Sequence, residues 1–454
     1  MSLFMKLQKR ADEHRPLRVG LIGAGKFGAM YLAQLPRTPG VHLAGIADLS
    51  PANARASIER VGWAPDRAAA TSLDEALRHG TTHVGDDWRS LIRHPQVEII
   101  IECTGSPIAA IEHCLAAFDN GKHVVNVTVE ADALCGPYLA ERARAAGVLY
   151  SLAYGDQPAL ACELVDWARA CGFPVVAAGR GHKWLAKFRE STPDTVWDHW
   201  GVTAEQAKLG GMNPKMFNSF LDGSKPAIEC AAIANVTGLE APDDGLAFPP
   251  GTVDDIPGLM RLKSEGGHLD KKGVVEVISS LRPDGTPVGY DIRKGVWVCV
   301  EAANDYIQRC FKEYQVVTDP AGRNMVLYRK WHLIGLEVGL SVASVGLRGE
   351  ATGAPGYFNA DVVATAKRDL AAGEILDGEG GYTVFGKLCP ARRSVDRGYL
   401  PLGLAHDVKL LRPVKKDAAL TFSDVAVDPQ LSAYQARKAM EKMFEEPRSA
   451  MAGR

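Results

Sequence analysis

No run of 18 or more apolar residues occurs in this 454-residue chain, which excludes a membrane-spanning helix of ordinary length. The N-terminus has no short apolar core of the kind that a secretory leader needs. An excess of charge of one sign is also missing: Lys and Arg number 52 against 54 Asp and Glu, a formal net charge of −2. That balance leaves no electrostatic footprint for nucleic acid or an anionic membrane surface, so neither is an expected partner. The nine cysteines form no Cys-x-x-Cys pair and no zinc spacing with histidine, so a disulfide framework and a zinc site are both set aside. The P-loop pattern G-x-x-x-x-G-K-[ST] is absent too. What remains is a globular composition, 46% hydrophobic and 23% charged, in a chain long enough for two or three domains. Its expected setting is the reducing cytoplasm.

Up to about residue 155, short apolar runs alternate with helical patterns. "LRVGLI", "HLAGIAD", "VEIIIECTG", "KHVVNVT" and "GVLYSLAYG" read as strands, with amphipathic stretches such as 108–118 and 131–146 between them. Continuous apolar strands separated by helices predict an α/β domain, a doubly wound parallel sheet of Rossmann type, over 1–155. Between the first strand and its helix stands "GAGKFG", residues Gly23, Ala24, Gly25, Lys26, Phe27 and Gly28. In that context G-x-G-x-x-G is a dinucleotide-binding turn. Gly23 permits the tight turn, Gly25 lets the backbone approach the pyrophosphate, and Gly28 lets helix and sheet pack closely. Asp48, closing the second strand, is placed to accept from a ribose hydroxyl, which by itself favours NAD. Cys103, Thr104 and Gly105 end the fourth strand on the edge where ligands collect. Ser106 and Pro107 then read as N-cap and first residue of the next helix.

From 156 to 350 the pattern becomes that of an α+β substrate and dimerisation domain. A helix near 159–170 leads into "VVAAGRGHKW", and "GVVEVISSL" and "KGVWVCVEA" are strand-like runs linked through "RPDGTPVG". Asp156 and Gln157 follow a strand, where they could orient substrate or cap a helix. Arg180, His182 and Lys183 close another strand, and Lys183 is a candidate proton donor if burial lowers its pKa. Asn213, Lys215, Asn218 and Ser219 gather donors at a helix start opened by Pro214, a pattern suited to gripping a phosphate. Asp222 and Glu229, seven apart, would share a helical face, where oxygen ligands could hold Mg²⁺ or Mn²⁺. Lys183, Lys215, Asp222 and Glu229 are thus the expected catalytic groups. Asp156, Gln157, Arg180, Asn213, Asn218 and Ser219 are the expected substrate contacts. A Gly/Pro-rich linker precedes a β-rich unit over 356–425, and 426–454 reads as a charged tail.

"GAGKFG" with an α+β domain after it resembles the homoserine dehydrogenase class, and "LDGSKPAIECAAIANVTGL" resembles the helix on which those enzymes carry an Asp, matched by Asp222. The catalytic Lys expected further along has no counterpart in "ECAAIAN". The C-terminal unit resembles the SAF domain of sialate synthases and sugar-acid dehydratases. "GDQPALACELVDWARACGFPVVAAGRGHKW", "GMNPKMFNSFLDGSKPAIE" and "VVATAKRDLAAGEILDGEGGYTVFGKL" resemble the 1-deoxy-D-xylulose 5-phosphate reductoisomerase-like oxidoreductases, and this resemblance covers nearly the whole chain. It implies NADPH as cofactor, a sugar phosphate as small-molecule substrate, and reductive isomerisation to 2-C-methyl-D-erythritol 4-phosphate. A homodimer or homotetramer is expected. Two other readings stand beside it: a nicotinamide-dependent dehydrogenase of a sugar acid or amino-acid-derived alcohol, and a dinucleotide or carbohydrate sensor.

Overall fold

The computed structural model describes residues 2–209 and 212–445. They divide into two compact units, one drawn from Met1–Ala159 and Leu333–Pro355, the other from Leu160–His332 and Gly356–Arg454.

In the first unit, β1 (Leu17–Ile22), β2 (Val41–Ala47), β3 (His83–Gly85), β4 (Ile99–Glu102), β5 (His123–Asn126) and β6 (Tyr150–Leu152) form one parallel sheet in the order β3-β2-β1-β4-β5-β6. The five expected strands are all present. The sixth, β3, has only three residues, too short to show a period of two. Leu17, Val19, Leu21, Ile99, Ile101 and Val125 lie in one core with the helix Val338–Arg348, which contributes Val338, Val342, Ala343 and Val345. Fully burying such a side chain contributes about 1.5–3 kcal/mol, so Leu333–Pro355 is an integral part of this unit. Leu152 N–H donates to Gly353 O at 2.8 Å, extending the return of the chain past β6. The expected second domain, 156–350, therefore differs from the observed unit in its last part, because the helix Val338–Arg348 completes the first sheet.

The second unit holds a four-stranded sheet of β7 (Val175–His182), β8 (Val274–Ser279), β9 (Val296–Glu301) and β10 (Asn324–Arg329), ordered β10-β9-β7-β8. β7 runs parallel to β8 and antiparallel to β9. The two runs joined by "RPDGTPVG" thus flank β7 instead of pairing with each other. Helix Ser224–Thr237 is buried nearly all round, as expected for a helix enclosed on every side.

Within the same unit the C-terminal region is rich in strand. β11 (Ala360–Ala366) pairs with β13 (Val384–Pro390), and β12 (Ile375–Asp377) pairs with β14 (His406–Lys409), both antiparallel. Asn235 of the buried helix fixes its start: Oδ1 accepts from Asn359 N at 2.9 Å and Ala360 N at 3.0 Å, while Nδ2 donates to Ala360 O at 3.0 Å. The tail expected over 426–454 is a helix over Ser432–Glu445, and 446–454 lie outside the described residues. No helix among the described residues is long and apolar enough to cross a membrane.

The C-terminal helix is secured by charge. Arg437, fully buried, donates from Nη1 and Nη2 to the two oxygens of Asp361 at 2.8 and 2.6 Å, and from Nε to Glu441 at 2.8 Å. Ser394 Oγ also donates to Asp361 at 2.5 Å. Asp361→Ala should destabilise the second unit by about 3–5 kcal/mol, because the guanidinium would stay buried without its main counter-charge. Denaturant unfolding followed through this unit checks that figure.

Candidate active site

The glycine turn sits where strand order reverses between β1 and β4, the crevice that collects ligands in doubly wound sheets. Gly23 has φ +91, and a Cβ there would lie 2.7 Å from Cys103 O; one at Gly28 would lie 2.5 Å from Gly23 O. The chain itself therefore demands glycine at both positions. Gly25 is different. It is exposed, its φ of −67 suits any residue, and a Cβ would meet nothing within 4 Å. Gly25 is also the N-cap of helix Lys26–Gln34 and offers no side-chain acceptor to its first turn, where the Gly28 N–H bonds the Cys103 thiol. Open space above a bare helix start fits a pyrophosphate. Lys26, exposed at the first helical position, adds a cation there, while Ala24 is buried and Phe27 packs partly into the core.

Asp48 does more than face a ribose. Oδ2 accepts from Ala24 N at 2.8 Å and Oδ1 from Ser50 N at 2.9 Å, so the carboxylate braces the glycine turn. Each oxygen retains a second lone pair for a ribose hydroxyl. Arg55 donates to Ala68 O at 3.2 Å.

The loop after β4 is held by a residue that the sequence reading passed over. Glu102, wholly buried, accepts from Thr104 Oγ1 at 2.6 Å and from Thr104 N at 3.3 Å, contacts His113 Nδ1 at 3.2 Å, and accepts from Thr128 Oγ1. Thr128 Oγ1 in turn accepts from Gly105 N at 3.0 Å. Thr104 and Gly105 are thereby fixed in place, and Cys103 N–H bonds Ile22 O at 2.8 Å. Burial pushes the Cys103 thiol far above its ordinary value, with the Glu102 charge adding to the effect, which makes it a packing group. Ser106 caps the following helix with Pro107 first in it, as the sequence suggested. The signal for Glu102 was visible, an acidic residue ending an otherwise apolar strand.

In the helix Val129–Ala145, Asp132 is buried and accepts from Tyr150 Oη of β6 at 2.6 Å and Asn126 Nδ2 of β5 at 3.0 Å. Burial pushes its carboxyl up to about 8 in spite of those bonds. Asp156 Oδ1 accepts from Gln157 N at 2.9 Å, the local bond of a helix start. Gln157 is buried, and its Nε2 has no partner among the described residues. That donor remains available to a ligand.

Four of the expected groups in the second unit are spent on each other or on the fold. Arg180 pairs with Glu229, donates from Nε to Gly181 O at 3.1 Å, and reaches His182 Nδ1 at 3.3 Å. His182 Nε2 lies 2.6 Å from Phe220 O. Burial and then Arg180 hold that imidazole well below its ordinary pKa, so it is neutral, donates from Nε2 and accepts at Nδ1. Asp222 does not share a helix with Glu229: it is the C-cap of helix Pro214–Leu221, and Glu229 lies in Ser224–Thr237. Lys367 Nζ bonds Asp222 at 2.8 Å, Ser191 O at 2.9 Å and Gly381 O at 2.7 Å. Both carboxylates are neutralised by buried cations, so this pair does not fit a divalent metal. Among the described residues, no group of three or more His, Cys, Asp or Glu could hold one.

The expected phosphate grip is not assembled either. Asn213 is the N-cap of Pro214–Leu221, accepting from Lys215 N and Met216 N, and Ser219 Oγ bonds Met216 O at 2.7 Å. Lys215 Nζ donates to Asp377 O, and Asn218 Nδ2 bonds both Ser191 O and Gly380 O at 2.9 Å. These side chains join the helix to the 377–381 segment. Lys183 alone keeps open chemistry. It is half-buried, donates to His199 O at 2.6 Å, and is held below the ordinary lysine value by burial and then by Arg293.

Two outcomes follow for the first unit. Gly25→Val should weaken dinucleotide binding on the order of tenfold or more, while changing stability by less than about 1 kcal/mol; fluorescence titration and thermal melting separate the two. Asp132 binds a proton when folded that the unfolded chain releases. Its contribution to stability is complete below about pH 4 and declines as pH rises towards 8. Asp132→Asn should flatten that decline, as seen in denaturant midpoints compared at about pH 5 and about pH 8.

Residues 155–338 match the family model described as oxidoreductase DRL, catalytic domain, and residues 23–152 match the homoserine dehydrogenase NAD binding domain. No curated protein matches the chain. Among solved structures, it is similar to an NAD binding oxidoreductase from Klebsiella pneumoniae at 16% identity, covering 71% of this chain and 68% of that one with a TM-score of 0.30. An oxidoreductase domain protein from Kribbella flavida matches at 17% identity, with 63% and 64% covered and a TM-score of 0.31. A levoglucosan dehydrogenase in complex with NADH and levoglucosan matches at 17% identity, with 64% of each chain covered and a TM-score of 0.30. None of the three is near enough to say what this chain binds. On these two matches and the glycine turn that fits a pyrophosphate, the chain is an NAD(P)-dependent oxidoreductase, similar over 23–152 to the homoserine dehydrogenase NAD binding domain and over 155–338 to the DRL catalytic domain.

Proposed function

We propose that the chain is an NADPH-dependent reductoisomerase that converts 1-deoxy-D-xylulose 5-phosphate to 2-C-methyl-D-erythritol 4-phosphate. The observation that carries this reading is the DRL-type match over 155–338, the stretch that contains β7 to β10. The reaction rearranges a phosphorylated ketose to an aldehyde and then reduces it. NADPH, when bound, supplies the hydride for that reduction. In the first unit the glycine turn holds the pyrophosphate, and Asp48 keeps that turn in shape. In the second unit Lys183 gives a proton to the oxygen of the reduced carbonyl, completing the alcohol. A lysine held below its ordinary pKa by burial is suited to that transfer. Arg180, Glu229, Asp222 and Lys367 act on the fold, as buried pairs that keep β7 and its neighbours in register.

The homoserine-dehydrogenase-like match of residues 23–152 favours a second reading, a dehydrogenase of a sugar acid or an amino-acid-derived alcohol. One assay separates the two: NADPH consumption with the pentulose phosphate against a panel of sugar acids. Turnover of sugar acids alone rejects the reductoisomerase. Lys183→Met should lower kcat by on the order of 10²-fold or more with a smaller change in KM, as removal of a proton donor does. An unchanged kcat removes Lys183 from the chemistry.

A further inference from the structure

At the ends of the parallel strands β7 and β8 lies a cavity of about 490 Å³, lined by Lys183, Lys187, His199, Arg293 and Ser280, with Asp198 and Asp291 among the other walls. Its volume is within the range of sites for small ligands, about 300–1,000 Å³. Its Lys183, Lys187 and Arg293 form no ion pair among the described residues, although Asp198 and Asp291 stand in the walls. Arg293 is half-buried and forms no ion pair among the described residues. The neighbouring Asp291 accepts from the Arg293 backbone N–H at 2.6 Å and attracts the guanidinium electrostatically, without forming an ion pair with it. Lys183 Nζ bonds one uncharged acceptor, His199 O. The ring of Trp200 lies 5.7 Å from the Arg293 guanidinium, so a flat aromatic face supports the planar fork.

Elsewhere in this unit, buried cations have counter-charges: Arg180 has Glu229, Lys367 has Asp222, Arg437 has Asp361. In the cavity, the half-buried Arg293 and Lys183 have no such partner among the described residues. Burial lowers the pKa of Arg293, Lys183 and His199 alike, and neighbouring cations press further on Lys183 and His199, while Asp291 and Asp198 act the other way on Arg293 and His199. Partly desolvated cations that outnumber the two carboxylates of the walls, Asp198 and Asp291, are costly in the free protein and are compensated by a bound anion. A planar guanidinium with free donors matches the oxygens of a phosphomonoester.

We infer that this cavity grips the phosphate of the substrate, with Arg293 as the main ligand and Lys187 and His199 beside it. This rests on the phosphorylated substrate proposed above, and it moves the grip away from Asn213, Lys215, Asn218 and Ser219. The same cavity also holds Lys183, the proposed proton donor.

Calorimetric titration of the intact protein with 1-deoxy-D-xylulose 5-phosphate and with unphosphorylated 1-deoxy-D-xylulose tests the assignment. Arg293→Met should raise Kd for the phosphate ester about tenfold or more and leave binding of the unphosphorylated sugar unchanged. Arg293→Lys should recover part of the loss, and Lys215→Met should bind as the unaltered protein does. If Arg293→Met does not fold, Arg293→Lys and Lys187→Met carry the comparison. Equal losses on both sugars, no loss in the cavity variants, or a loss in Lys215→Met alone overturn the inference, as does an unaltered protein that fails to bind the ester. Binding that depends on Arg293 without NADPH turnover rejects the reductoisomerase and keeps the grip. Turnover by a protein whose Arg293→Met variant binds normally does the reverse.

Discussion

A helix buried on every side must satisfy each polar group it carries, and Ser224–Thr237 sets that requirement for the second unit. Glu229 can be there only because β7 supplies Arg180. Ser224 Oγ accepts from Gly386 N at 2.8 Å, and Asn235 takes up the start of β11 with three hydrogen bonds. Asp222, two residues before the helix begins, meets Lys367 just beyond β11. Breaking any one of these would leave a polar group stranded in a medium where it costs about 1–3 kcal/mol, and more if charged. The sheet, the helix and the C-terminal strands therefore form one cooperative body, although the sequence shows a Gly/Pro-rich stretch between them.

That requirement also explains which site residues were legible. In the first unit the sequence announced strand, glycine turn and acidic residue in the right order, because a tight turn and a close helix–strand approach tolerate few alternatives to glycine at Gly23 and Gly28. Gly25 was legible from the motif alone, since no protein atom lies within 4 Å of where its Cβ would be. The order of the strands followed from alternation of apolar runs and helices. The short β3 and the return of Leu333–Pro355 did not, because neither leaves a periodic trace near its partners.

In the second unit, chemistry-bearing residue types misled. Arg180, Asp222 and Glu229 look catalytic in a sequence, yet such groups serve equally well as buried pairs, and only their partners decide. Those partners lie 49, 145 and 49 positions away, beyond any local motif. The spacing of Asp222 and Glu229 suggested one helical face, but Gly223, with φ +89, turns the chain between two helices. Arg293 was missed because "DIRKG" resembles an ordinary charged loop. Its distinction is a half-buried guanidinium with no ion pair among the described residues, which composition cannot display.

The discontinuity of the nucleotide-binding unit has a consequence for biosynthesis. During translation, β1 to β6 leave the ribosome well before the helix Val338–Arg348 that covers Leu17 and Ile99. Synthesis at roughly 5–20 residues per second separates the two by about ten seconds or more. For that interval the nascent sheet carries an apolar groove with no intramolecular cover, a surface that chaperones recognise and that favours aggregation. Stop-translation intermediates ending before residue 333 would therefore be sticky, even though every strand of the parallel sheet has already been made.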